Sequence, residues 1–321
     1  MSFGVIIPTL NCARFMDGHI DSILPWLSKA EEVVVIDSGS ADGTLEMIAR
    51  RIFHPNLQVH QHPRGIYQAW NCGIERIKSK YTYISTVGDS ITAHGIDHLL
   101  QVAEKHDADV VVSAPKFINE NGFAALKPPS FPVENLTKKL NIKEARLLTD
   151  LECFDFIISN FPNAILGSSA SNIYKTKTMK QKPFPVSYGT AGDGAWGISH
   201  ALTHRIAVTP LKFSTFRVHE KSYSKLDYEV DDFYGRLMTL FEESTNQWID
   251  SDSPNLSQEK GIMIRNALDQ LRESLNCQKD LQKIRSQRLP WIFNPRAWDI
   301  RARRAKTRQN IEILTRTLQA G

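Results

Sequence analysis

Five short apolar runs punctuate the first 115 residues, at 3–7, 33–36, 57–60, 81–86 and 109–113. The run at 33–36 is a continuous β-branched stretch rather than an alternating one, the pattern of a strand covered on both faces. Between the runs, apolar residues recur at helical spacing over about 13–29, 44–53, 66–79 and 94–105. Strand and helix alternating at this interval predict an α/β fold, a doubly wound, mainly parallel sheet flanked by helices. The rhythm changes near residue 115. Pro128, Pro129 and Pro132 mark a loop, and 138–148 and 151–158 carry helical spacing. Strands are expected at 170–174 and 212–218. From 228 onward the pattern is helical, over 228–243, 258–288 and 295–318, which makes a helical carboxyl-terminal extension.

Three polar turns follow the first, second and fourth runs, at 8–11, 37–44 and 87–90. In a parallel sheet the carboxyl ends of the strands line one edge, where open α/β sheets bind ligands. Thr9, Asn11, Asp37 and Asp89 are therefore expected to converge on one crevice, against the plainer reading of separate solvated turns. No G-x-G-x-x-G follows the first run and no G-x-x-x-x-G-K-[ST] occurs, which argues against a dinucleotide oxidoreductase and a P-loop NTPase.

The composition, with 41% apolar and 23% charged residues, is that of an ordinary globular chain and changes nothing. The net charge of +4 gives no case for nucleic acid, but suits an anionic ligand or lipid surface. Four scattered cysteines, Cys12, Cys72, Cys153 and Cys277, fit a reducing compartment. The first strand is expected to start at residue 3, so no signal peptide is expected, and no apolar run approaches the roughly 20 residues that span a bilayer. A cytoplasmic protein is expected, either free or peripheral at the inner face of the membrane. The basic run at 301–308 reads as a solvated helix face or as a contact with anionic lipid.

Four segments together carry a resemblance: Val-Ile-Ile-Pro-Thr-Leu-Asn at 5–11, Val-Val-Ile-Asp-Ser-Gly-Ser-Ala-Asp-Gly-Thr at 34–44, Gly-Ile-Tyr-Gln-Ala-Trp-Asn-Cys-Gly-Ile at 65–74, and Val-Gly-Asp at 87–89. In order and spacing they resemble the family 2 glycosyltransferases, inverting enzymes of the GT-A fold that use nucleotide-diphosphate sugars. The resemblance implies a nucleotide-sugar-binding half over 1–115, an acceptor-binding half over 116–227, and an extension over 228–321 that it does not cover. Pro8, Thr9 and Asn11 fall where the family's first loop meets the nucleotide, and Asp37 where a carboxylate binds the base or ribose. Gly65, Tyr67 and Asn71 match the segment around the nucleotide sugar. Their other reading is core, because Ile66, Ala69, Trp70 and Ile74 form an apolar stripe that Tyr67 can join.

Gly88 and Asp89 stand where the family carries an Asp-x-Asp or Asp-Asp metal motif, here reduced to one carboxylate. The resemblance implies a divalent cation, Mn²⁺ or Mg²⁺, between Asp89 and the diphosphate, with His219 as a second ligand. Asp193, between two glycines and ahead of a helical stretch, matches the family's general base; an ordinary helix N-cap is the alternative. Ser168, Ser169 and Trp196 are the acceptor-binding candidates. Arg217, Lys221 and Lys225 read as cations steering the donor or as a solvated face. The expected function is transfer of a sugar from a nucleotide-diphosphate donor to a glycan or lipid-linked acceptor hydroxyl, in cell-envelope polysaccharide or glycan synthesis. The rivals are a non-catalytic nucleotide-sugar binder with a degenerate metal motif, and a nucleotidyltransferase, which the lack of a Gly-rich basic loop at 11–14 disfavours.

Overall fold

The computed structural model describes residues 1–126, 128, 131–218, 230–251, 256–286 and 295–320. In chain order the first elements are β1 (Phe3–Thr9), α1 (Ala13–Leu27), β2 (Glu32–Asp37), α2 (Thr44–Arg51), β3 (Leu57–Gln61), α3 (Ile66–Arg76) and β4 (Tyr81–Ile84). They continue with β5 (Ser90–Ile91), α4 (Ala93–His106), β6 (Val110–Val112), β7 (Lys116–Ile118), α5 (Pro132–Lys139), β8 (Arg146–Leu147) and α6 (Asp150–Asn160). Next come β9 (Asn172–Lys175), α7 (Thr176–Gln181), α8 (Gly192–His200), β10 (Ile206–Val208) and β11 (Ser214–Arg217). The last three are α9 (Val230–Asp250), α10 (Gln258–Ser286) and α11 (Pro295–Ala320).

Two compact units emerge. The first comprises Met1–Leu148, Ala164–Gly197 and His204–Leu226, and the second Thr149–Asn163, Ile198–Thr203 and Asp227–Gly321. The two halves expected over 1–115 and 116–227 thus fall mainly in the first unit, while residues 149–163 join the carboxyl-terminal helices.

The first unit is built on an eight-stranded sheet in the order β3-β2-β1-β4-β9-β6-β10-β8, beside a small sheet β5-β11-β7. The expected parallel core is present: β3, β2, β1 and β4 run parallel, and every residue of β2 is buried. The β9 strand then runs antiparallel to both β4 and β6, and β8 antiparallel to β10. One face of the core gathers Val5, Ile7, Val33, Val35, Tyr81 and Tyr83 against Ile20, Ile23 and Trp26 of α1 and Ile96 and Leu99 of α4. Trp26 sits edge-on to Tyr83 at 5.5 Å, and its indole N–H donates to the Ile91 carbonyl, so burying the ring leaves no polar atom unpaired.

One expected helix is corrected. Residues 138–148 are not a helix: α5 runs Pro132–Lys139, and Arg146–Leu147 pairs with β10 as an edge strand. Pro132, taken for a loop residue, occupies the first turn of α5, where its missing N–H costs nothing.

In the second unit, α6 opens with a capping box, Thr149 to the Glu152 amide and Glu152 back to the Thr149 amide. Phe154 stacks on Phe241 of α9, and the Trp248 indole donates to Asp150. Cys277, Leu281 and Ile284 of α10 meet Ala297 and Ile300 of α11 in a second apolar cluster. The basic run of α11 is not one solvated face, because Arg303 pairs with Glu273 and Asp299, and Arg304 with Gln278. No helix of the described residues is long and apolar enough to cross a membrane.

Candidate active site at the carboxyl edge of the sheet

Chain direction fixes where the sheet can open. From β1 the chain builds outward to β2 and β3, then returns to β4 on the other side of β1. The reversal lies between β1 and β4, the place where such sheets part. The ladder confirms it: β1 pairs with β2 as far as Thr9↔Asp37, but with β4 only as far as Ile6↔Ile84. The Ser85 amide donates to the Ile6 carbonyl at 2.8 Å, so Ile6 and, two residues on, Pro8 turn the same backbone edge toward β4. Pro8 has no N–H to give, and the ladder ends there.

Asp37 ends β2 with no exposed surface. Its Oδ1 accepts the Thr9 hydroxyl at 2.8 Å and the Ser40 hydroxyl at 2.6 Å; its Oδ2 accepts the amides of Gly39 at 3.0 Å and Ser40 at 2.8 Å. Burial pushes this carboxyl up, but the bonds from Ser40, Thr9 and Gly39 outweigh it and leave the group below its usual range. The loops after β1 and β2 are also laced reciprocally. Ser40 and Thr44 accept the amides of Asn11 and Cys12, Asp42 accepts that of Ala13, and Asn11 Oδ1 accepts that of Ala41. Asn11 adopts a left-handed conformation to do so, with φ 47°. The two loops are thereby one rigid piece, with Asn11 exposed on its rim.

Past β4, Gly88 turns with φ 100°, which glycine adopts without a Cβ penalty, and delivers Asp89 to an 8% exposed position. Asp89 Oδ1 accepts the Arg217 amide at 2.9 Å; its Oδ2 accepts no hydrogen bond among the described residues. Burial pushes the carboxyl up to about 7, against the pull of the Arg217 amide and guanidinium. That guanidinium is committed to the carbonyls of Gly88, Asn119 and Glu120 and lies 5.5 Å over the Phe15 ring, so Arg217 fastens β11 to this loop.

Beneath the loop sits His19 of α1, which the sequence reading passed over. Its Nδ1 lies 3.1 Å from the Asp89 carbonyl and its Nε2 3.2 Å from the Ser85 hydroxyl. A carbonyl only accepts, so Nδ1 carries the proton and Nε2 accepts from Ser85. Burial lowers this imidazole to about 4 and keeps it neutral. One signal was available: Met16, His19, Ile20 and Ile23 share the buried stripe of α1.

The raised Asp89 carboxyl has a measurable consequence. The folded protein holds this proton more tightly than the unfolded chain, so the group's contribution to stability is full below about pH 4 and lost as pH rises through 7. Asp89→Asn is neutral throughout. In chelator, the unfolding free energy of the variant should gain on wild type by about 4 kcal/mol between roughly pH 4 and 8. A gap that does not change with pH would show that the buried charge carries no such cost.

On the acceptor side, Asp193 lies in the first turn of α8, and its Oδ1 accepts the Gly194 amide at 2.7 Å. Burial raises its carboxyl, and hydrogen bonds from the Tyr67 hydroxyl and the Gly194 amide pull it part of the way back. Tyr67 belongs to the aromatic core, edge-on to Trp70 at 4.9 Å and tilted on Phe184 at 5.7 Å, and its hydroxyl lies 3.2 Å from the Thr190 carbonyl. Asn71 clamps Phe184 through both amide atoms, donating to its carbonyl at 2.8 Å and accepting its N–H at 3.0 Å. Gly65 precedes α3 with φ 154°, and a Cβ there would strike the Gln68 side chain.

Ser168 and Ser169 are buried, and the Ser169 hydroxyl bonds Thr86 at 2.8 Å, beside the Asp89 loop. Trp196, the third acceptor-binding candidate, lies on α8. It has no exposed surface, its indole N–H donates to the Lys182 carbonyl, and its ring packs on Phe184, so it is core.

After burial itself, the Asp89 charge is the next influence raising Tyr83, and the Asp193 charge also raises Tyr174. The structure thus joins Thr9, Asn11 and Asp37 in one laced rim, and Tyr67 with Asp193 in a second cluster. His219, Lys221 and Lys225 lie outside the described residues. Among the described residues no three His, Cys, Asp or Glu side chains gather to hold a metal. What is present is the Asp89 carboxylate, with an oxygen that accepts no hydrogen bond among the described residues, which fits a cation whose remaining ligands would come from a bound diphosphate.

Residues 4–162 match the family model described as Glycosyl transferase family 2. The chain belongs to that family. An uncharacterized glycosyltransferase of Rickettsia prowazekii is 34% identical over 109 residues, 34% of this chain and 34% of that protein. A PGL/p-HBAD biosynthesis glycosyltransferase of Mycobacterium bovis is 34% identical over 106 residues, 32% of this chain and 40% of that protein. The matches span between 22% and 40% of the length of these curated relatives, with a second Rickettsia protein at the lower end. Among solved structures, Staphylococcus aureus TarS 1-349 in complex with UDP-GlcNAc superposes with a TM-score of 0.64 at 18% identity, covering 100% of this chain and 92% of that one. That likeness establishes the GT-A fold for this family 2 chain.

Proposed function

We propose that this family 2 chain is an inverting glycosyltransferase that moves a sugar from a nucleotide-diphosphate donor to an acceptor hydroxyl, in cell-envelope polysaccharide or glycan synthesis. The observation that carries the reading is the open β1–β4 edge, with Asp89, whose Oδ2 accepts no hydrogen bond among the described residues, on the loop after β4. The laced rim of Thr9, Asn11 and Asp37 receives the nucleoside, with Asn11 exposed and Asp37 holding the loop from behind. Asp89 would hold a divalent cation, whose chemistry when bound would be to neutralise charge on the departing diphosphate. His19 and Arg217 fix the loop that carries Asp89. Asp193 takes the proton of the acceptor hydroxyl as that oxygen attacks the anomeric carbon from the side opposite the diphosphate, which inverts the configuration. Its raised carboxyl makes it a stronger base than an exposed aspartate. The TarS structures hold UDP-GlcNAc and UDP, and a uridine diphosphate sugar is the donor class we carry over. A lipid-linked acceptor, met by peripheral contact through exposed Lys306 and Arg308 of α11, belongs to the same reading.

The test is calorimetric titration of UDP, GDP and TDP, each with and without Mn²⁺, on wild type and Asp89→Asn. One nucleotide, UDP, should bind with a clear gain from Mn²⁺, and the variant should lose that gain. Binding indifferent to metal would remove Asp89 from a cation role. No binding by any nucleotide would sink the transferase reading itself.

A further inference from the structure

Tyr67 belongs to the segment first assigned to the donor, yet its polar atom points elsewhere. The ring is 3% exposed, and the hydroxyl is its only group with chemistry to offer. That hydroxyl donates to the Thr190 carbonyl at 3.2 Å on the segment entering α8, three residues before Asp193, and its nearness pulls the Asp193 carboxyl down against the effect of burial. The approach is built into the backbone. A Cβ placed on Gly192 would lie 2.5 Å from the Tyr67 ring, so only glycine lets the start of α8 sit directly on the phenol. The ring cannot swing away, because Trp70 and Phe184 pack against it and Asn71 clamps Phe184 in place.

We propose, on the reading of Asp193 as the base, that Tyr67 is its positioning residue: a buried phenol that aims the carboxylate from beneath. A phenol has one proton and here two acceptors. While Asp193 is ionised the proton goes to the carboxylate, because a charged acceptor makes the stronger bond. When Asp193 takes the acceptor's proton, the hydroxyl turns to the Thr190 carbonyl, and no buried donor is stranded at either stage. One carboxylate oxygen is held by the Gly194 amide and the carboxylate as a whole by the phenol, so rotation about the side chain is restricted. Among the described residues, the titratable groups that act on Asp193 are Tyr67 from α3 and Tyr174 from β9, both neutral phenols. Loss of the Tyr67 hydroxyl is therefore not masked by a neighbouring charge.

Tyr67→Phe keeps the ring and removes the hydroxyl. Its turnover with UDP-sugar should fall by about tenfold, the worth of one hydrogen bond to a charged group, with donor KM and calorimetric UDP affinity unchanged. The acid limb of its kcat–pH profile should move to higher pH, because a bond favouring the ionised carboxylate is gone. Turnover and limb both at wild-type values would overturn the proposal. So would a fall in kcat accompanied by a matching rise in donor KM and no movement of the limb, the mark of a packing role alone. Asp193→Asn, assayed alongside, separates the two ideas: if that variant turns over normally, the base assignment has failed, whereas if only Tyr67→Phe is silent, the assignment stands without its positioning residue.

Discussion

Asp193→Asn should lower turnover by about 10²–10⁴-fold, the usual worth of a positioned general base, and leave UDP affinity within about twofold. The replacement is nearly isosteric. The carbonyl oxygen of Asn still accepts the Gly194 amide, and the Tyr67 hydroxyl, which has the Thr190 carbonyl as its other acceptor, is free to receive the new amide N–H. The fold and the donor rim should therefore survive, and the lost property is the capacity to take a proton. The pH profile gives the second half of the result. Burial raises the Asp193 carboxyl, so wild-type kcat should decline on its acid side at a pH above the ordinary carboxylate range, as the base becomes protonated. The variant's residual rate should lack that limb. A non-catalytic nucleotide-sugar binder would behave differently, with no turnover in wild type to lose. Full turnover in Asp193→Asn would remove this residue from the mechanism, and with it the need for the phenol beneath.

The α/β rhythm of the first 115 residues was legible because the main strands are apolar runs separated by single amphipathic helices, although β1 also pairs with β4 three helices on. The next hundred residues hid their structure for two reasons. Strands β7, β8 and β10 are two or three residues long, too short for any period to register. The β9 strand enters the sheet between β4 and β6, antiparallel to both and roughly 60 to 90 residues from them in sequence, so what fixes it is tertiary pairing. Much the same divides the site. Asp37, Asp89 and Asp193 were visible because polar turns interrupt apolar runs there. Which of their atoms remain free was not. Thr9 and Ser40 occupy Asp37, while Asp89 Oδ2 has no donor among the described residues, and only the fold sets those partners beside them. The helix stripe around Tyr67 left core and ligand roles open, and the structure shows its ring in the core and its hydroxyl on the Thr190 carbonyl.

Asp37→Ala should be the most destabilising single change at the donor rim. The wild-type carboxylate answers the amides of Gly39 and Ser40 and the hydroxyls of Thr9 and Ser40 in a site with no exposed surface. Alanine leaves the Thr9 hydroxyl and the loop amides without an acceptor. Each hydrogen bond to a charged group is worth about 1.5–3 kcal/mol. Water can reach the Ser40 side but not the buried Thr9, so the net loss should be about 3–5 kcal/mol in denaturant unfolding. Asp37→Asn should cost far less, about 1 kcal/mol. Its oxygen can serve the two amides, and its N–H groups can be accepted by the two hydroxyls, which turn to suit. Because Asp37 is held below the usual carboxylate range, its share of stability is present above that range and lost as pH falls through the folded value; neither variant should show that acid component. The same pair of variants decides how Asp37 acts. If it works only by holding the loop, Asp37→Asn should bind UDP as wild type does, while Asp37→Ala loses affinity together with stability. An Asn variant that folds normally but no longer binds would instead put the carboxylate in direct contact with the nucleoside, through a rearrangement that exposes it.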